Sequence, residues 1–130
     1  INATSNLFRK NTHPVIVIRD LSEGDDDSYL NVGAFNADPN DIEVIKYHGN
    51  SFWQTPLDQI LKERHIDFLV LCGNAAEFCV LATYNGALER GYKVVVLQHG
   101  VFARRESGLL DLYWNRSLIS YTALNYMLKE

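Results

Sequence analysis

Phe68-Leu69-Val70-Leu71-Cys72-Gly73-Asn74-Ala75-Ala76-Glu77-Phe78-Cys79-Val80 decides the fold. Its first five residues are apolar without a break, the mark of a strand buried on both faces rather than one face to water. A turn of small residues follows, Gly73 with Ala75 and Ala76. A helix then runs from about Cys79 to Arg90, and Gly91 stands where a left-handed C-terminal cap belongs. Lys93 to Leu97, with Val94-Val95-Val96, is the next strand. Strand, turn, helix and strand in that order are the repeating unit of a parallel sheet.

The pattern extends outward. Pro14-Val15-Ile16-Val17-Ile18 is another β-branched run behind a turn signal, and Ile42 to Tyr47 is a further short strand. Asn2 to Lys10 reads as the last turns of a helix, with Leu7 and Phe8 as its apolar pair. Thr55-Pro56-Leu57-Asp58 is a helix start: Thr55 as N-cap, Pro56 in the first helical position, Asp58 three residues after the cap. Leu57, Ile60 and Leu61 form its apolar face. Downstream, Ser107 to Tyr113 is expected to be helical, Leu118 to Tyr121 a short last strand and Ala123 to Lys129 a last helix. Strands apolar on both faces, alternating with helices, predict a three-layer α/β/α fold around a mostly parallel sheet. No repeat or linker divides residues 1–130, so one domain is expected. Leu21 to Pro39 is expected to be a loop that shapes the pocket, with Asp25-Asp26-Asp27 solvated.

Composition narrows the function. The chain has 130 residues, 47% of them hydrophobic, which suits a domain with a real core. A net charge of −4 gives no footprint for nucleic acid or an anionic membrane surface. The apolar runs fall well short of the ~20 residues of a membrane helix, and no stretch reads as a signal peptide. Cys72 and Cys79 suggest no disulfide framework and read as reduced thiols. The expectation is a cytoplasmic protein whose partner is a small-molecule substrate. No Gly-x-Gly-x-x-Gly or Gly-x-x-x-x-Gly-Lys-Ser/Thr follows a strand, which argues against a nucleotide site. His13, His48, His65 and His99 are scattered without ligand spacing, so no metal and no cofactor is expected.

Ligands of such sheets bind at the carboxyl ends of the strands. Those ends carry Asp20, Lys46, the turn from Gly73 to Cys79, and Gln98-His99. A cysteine at a helix start faces unpaired backbone N–H groups and the positive end of the helix dipole, and both favour the nucleophilic thiolate. Small residues before it let several N–H groups converge on one spot, as an oxyanion site requires. Lys46, ending another strand, brings a positive charge. Cys72, inside its strand, reads as a small core residue. Phe52 and Trp53, after the lysine strand, are candidates for lining a substrate pocket, although core packing explains Phe52 equally well.

These residues carry a family likeness. Lys46-Tyr47-His48-Gly49-Asn50-Ser51-Phe52, followed by Thr55 and Leu57, resembles a segment of the isochorismatase-like cysteine hydrolases, and Phe68 to Val80 resembles their strand, glycine turn and Cys-Val helix start. Thr83, Ala87, Gly91, Tyr92 and Val94 to Val96 continue the likeness, which covers about Val15 to Leu97. The resemblance implies a hydrolase of a small amide or related bond, often dimeric or tetrameric, with an Asp, Lys and Cys triad. Carried over, Cys79 attacks the carbonyl and Lys46 assists. The amides of Ala75 and Cys79 hold the oxyanion, and the Asn74–Ala75 bond is cis. The place where the nicotinamidase branch carries its metal-binding Asp-x-His reads Asp20-Leu21-Ser22. The family's triad aspartate ends the first strand, a segment with no counterpart in residues 1–130. It is expected upstream of Ile1, in an N-terminally incomplete domain; the alternative is a non-catalytic relative acting as a binding or scaffold module. Asp20, on the neighbouring strand, is a poor geometric substitute.

Overall fold

In a computed structural model, residues 1–22 and 35–129 are described. The acid run Asp25–Asp27 and most of the expected pocket loop lie outside them. The elements are α1 (Asn2–Lys10), β1 (Ile16–Asp20), β2 (Ile42–Lys46), α2 (Leu57–Glu63), β3 (Phe68–Asn74), α3 (Cys79–Glu89), β4 (Lys93–Phe102), α4 (Glu106–Asn115), β5 (Leu118–Ile119) and α5 (Tyr121–Met127). Every strand predicted from the sequence is present, and each ladder among the described residues is parallel.

The strands form two sheets. β1 pairs with β2 from Ile16↔Ile42 to Asp20↔Lys46. β3, β4 and β5 form the other sheet in that order. Among the described residues no ladder joins β1 to β3. Their free edges instead flank a slot of about 760 Å³, with Ile16 and Ile18 on one wall and Phe68, Val70 and Cys72 on the other. This corrects the expectation for β3. Its residues are apolar throughout, yet Phe68 and Cys72 are exposed, because among the described residues no strand lies against that edge. Cys72 is therefore a slot residue and not a core one. The crowding walls nevertheless desolvate its thiol and push its pKa up.

Alternation along the strands builds three layers. Leu69, Leu71, Val94 and Val96 pack into a core with Leu57 and Leu61 of α2, Val80, Tyr84 and Ala87 of α3 and Leu112 of α4. Val70 and Leu97 pack on the other side, against Leu7 of α1 and Leu124 of α5. Leu61 and Val96 are almost wholly buried, at 1% and 0% exposure. Burying such side chains stabilises the fold by about 2 kcal/mol each.

The local signals act as read, with shifts of one or two residues. Thr55 sits one position further out than expected: Pro56 is the cap of α2, while Thr55 Oγ1 accepts the Leu57 amide at 3.3 Å and donates to the Ser51 carbonyl at 2.6 Å. Gly91 has φ +84°, and the amides of Gly91 and Tyr92 return to the carbonyls of Leu88 and Ala87, closing α3. The cap of α5 is Ser120, whose side chain accepts the Ala123 amide at 3.1 Å.

Candidate active site

Three side chains, two from strand ends and one from the start of α3, meet at one point. Lys46 ends β2 and is 4% exposed. Its ammonium donates to Asp20 Oδ2 at 2.8 Å, to the His48 carbonyl at 2.8 Å and to Cys79 Sγ at 3.2 Å. Cys79 Sγ lies 3.8 Å from Asp20 Oδ2. A buried lysine needs this many partners, because an ammonium removed from water without them is costly. The other carboxylate oxygen of Asp20 accepts the Ser22 amide at 2.8 Å. Desolvation works to raise the Asp20 pKa, but the hydrogen bonds from Lys46 and Ser22 outweigh it and hold the carboxyl below its ordinary value.

The turn between β3 and α3 is shaped as the family resemblance implies. The Asn74–Ala75 peptide is cis and Gly73 has φ +115°. The amides of Ala76, Phe78 and Val80 donate to the carbonyls of Phe102, Ala75 and Ala75. The amides of Ala75 and Cys79 donate to no protein group among the described residues. Two unengaged N–H groups beside a thiol are what an oxyanion site requires.

Neighbouring contacts hold these parts. Ser51 and Thr83 are both buried; the Ser51 amide donates to Thr83 Oγ1 at 3.0 Å and Thr83 donates to Ser51 Oγ at 2.9 Å, tying the lysine segment to α3. Glu77, inside the turn, accepts the amides of Arg104 at 3.0 Å and Arg105 at 2.9 Å, clamping the turn to the start of α4. Gly108 leaves room for this clamp, since a Cβ there would collide with Glu77 Cγ.

A cavity of about 560 Å³ opens over the group, lined by Asp20, Lys46, Asn74, Cys79, His99 and Phe102 among others. Its size is ordinary for a small-molecule site. Ile1 and Asn2, at the start of α1, also line it. The aromatic candidates lie elsewhere. Phe52 is buried at 4% exposure, stacked on Tyr92 at 5.7 Å with the Arg90 guanidinium 4.9 Å from its ring. Trp53 is 53% exposed. Neither lines the cavity at Cys79. Among the described residues no three His, Cys, Asp or Glu side chains gather as metal ligands, and no helix is long and apolar enough to cross a membrane.

The pairing of Asp20 with Lys46 was the contact that sequence reading missed. Its signal was the one in-register end of two adjacent strands, which becomes visible only once β1 and β2 are known to pair.

Two parallel strands ending in a carboxylate and a lysine, with a cysteine opening the helix after a third, define an α/β protein with a polar cluster at the carboxyl ends of its strands. The chain belongs to the isochorismatase family: the isochorismatase domain matches residues 1–112. It is 35% identical to the ureidoacrylate amidohydrolase RutB of Methylorubrum extorquens over 116 residues, 85% of this chain and 45% of that protein. The N-carbamoylsarcosine amidase of Thermoplasma acidophilum superposes with a TM-score of 0.82 at 25% identity, covering 92% of this chain and 79% of that one. The nicotinamidase SaPncA of Staphylococcus aureus superposes with a TM-score of 0.73 at 27% identity, covering 90% and 79%. The chain spans less than half the length of RutB and of the Escherichia coli family protein YecD.

Proposed function

We propose that this protein is a metal-independent cysteine hydrolase that cleaves the C–N bond of a small amide. The carrying observation is the 3.2 Å donation from Lys46 Nζ to Cys79 Sγ. A buried ammonium at that distance holds the sulfur in place beside the amides of Ala75 and Cys79, the arrangement a cysteine nucleophile requires. Amidohydrolase and amidase relatives support the same reaction class.

In this reading Sγ attacks the substrate carbonyl carbon and the oxygen takes negative charge against the amides of Ala75 and Cys79. The C–N bond breaks, the nitrogen leaves with a proton, and a thioester forms on Cys79. Water adds to the thioester, the C–S bond breaks, and the acid and free thiol are released. Asp20 holds Lys46: both its carboxylate oxygens are occupied, and 3.8 Å to sulfur is long for a proton transfer. A carboxylate other than Asp20 must then accept the thiol proton, and a site without one would favour the non-catalytic alternative.

The test is selective alkylation together with hydrolysis by the full-length gene product. Iodoacetamide near neutral pH should modify Cys79 much faster than Cys72, and Cys79→Ala should abolish hydrolysis across a panel of small amides. Equal, slow rates for the two thiols, or hydrolysis that survives Cys79→Ala, would overturn the reading.

A further inference from the structure

β4 is interrupted beside the site. Leu71 of β3 is level with Val96, but Gly73, two residues on, is level with Val101, five residues on. The surplus in β4 bulges out between Val96 and Val101 and carries His99. Bulges re-aim side chains and recur next to active sites. His99 has φ +62°, in the left-handed region that disfavours side chains with a Cβ. Thr12, Gln54 and His65 share that conformation, but Thr12 and His65 follow the last turns of α1 and α2 and Gln54 closes the turn after Trp53. His99 alone lies within a strand.

The surroundings maintain this conformation. The His99 amide donates to the Tyr113 hydroxyl of α4 at 3.1 Å. Gly100 is buried against Leu97, whose Cδ2 would lie 2.5 Å from a Cβ at that position. The imidazole has no hydrogen-bond partner among the described residues, and His99 lines the same cavity as Lys46, Asn74 and Cys79. A strained backbone that other residues hold in place, with an exposed histidine on the cavity that holds Cys79, points to a ligand contact.

We infer that His99 is a substrate-contacting residue that hydrogen-bonds a second polar group of the amide, a carbonyl or carboxylate remote from the scissile bond. This rests on the cysteine-hydrolase reading and narrows it: the substrates are small amides with a further hydrogen-bond acceptor. His99 lines the cavity but makes no hydrogen bond to Asp20, Lys46 or Cys79 among the described residues, so it selects and orients the substrate without taking part in bond cleavage.

The experiment compares His99→Gly and His99→Asn with the parent protein in hydrolysis of two amides of equal size, one with the second acceptor and one with a methyl in its place. His99→Gly should raise KM for the first about tenfold, the loss of one hydrogen bond, leave KM for the second unchanged, and leave Tm equal or higher because glycine suits φ +62°. His99→Asn, which keeps a donor, should recover part of the loss. Iodoacetamide modification of Cys79 should keep its parent rate in both variants. Equal KM values in parent and His99→Gly for both amides would overturn the inference, as would slowed Cys79 alkylation, which would make the bulge structural. Slow alkylation in the parent itself would instead overturn the hydrolase reading.

Discussion

Replacing Lys46 by Met removes the ammonium while keeping a long apolar stem in the same space. The 3.2 Å hydrogen bond from Lys46 has a charged donor, and losing such a bond costs about 2.7 kcal/mol, or about a hundredfold in rate. Asp20 loses its partner, but its side chain is 32% exposed and regains solvation, so the fold persists. The assay is the iodoacetamide rate at each cysteine, followed by peptide mass spectrometry. Cys79 should react about a hundredfold more slowly in Lys46→Met, while Cys72, whose thiol is governed by the slot walls, should not change and serves as the internal control. A Cys79 rate within threefold of the parent would refute the role given to Lys46. A matched change at Cys72 would show that the substitution acts by repacking the sheets and not by removing a charge.

Arg9 pairs with Asp41 through two hydrogen bonds, and its guanidinium holds the Asp41 carboxyl below its usual range. The depressed carboxylate contributes stability that is complete above its unfolded pKa of ~3.9 and is lost as pH falls through the lower folded value. Asp41→Asn should therefore cost about 2 kcal/mol at neutral pH and flatten the acid limb of a Tm against pH profile. Leu61→Ala opens a cavity at a site 1% exposed and should cost about 3 kcal/mol in denaturant titration. Gly91→Ala forces a Cβ into φ +84° and should cost about 1 kcal/mol by the same measurement. Glu77→Ala removes the acceptor of the Arg104 and Arg105 amides, and hydrogen exchange at those two amides should quicken at least tenfold while α3 stays protected.

The layered fold was legible because parallel strands must be apolar on both faces, and Phe68–Cys72, Val94–Val96 and Val15–Ile18 all are. Gly91 was legible because helix ends repeat the same cap chemistry. The lysine and the cysteine were found because each ends or follows a strand. Other features depended on register. Asp20 meets Lys46 only because Ile16 is level with Ile42, and periodicity does not carry that alignment. The β4 bulge was hidden for the same reason: the strand was expected to stop at Leu97, and Val101 and Phe102 rejoin the ladder after an excursion that the apolar pattern does not mark. Phe52 was ambiguous because an aromatic after a strand suits either core or pocket, and its stacking on Tyr92 is a contact between distant segments.

The slot between β1 and β3 has one more consequence. Asp20 and Lys46 belong to one sheet and Cys79 to the other, so the cluster straddles a seam that no backbone ladder crosses among the described residues. Any widening of that seam draws the ammonium away from the sulfur. In the proposed hydrolase, the reactivity of Cys79 therefore reports the separation of the two sheets.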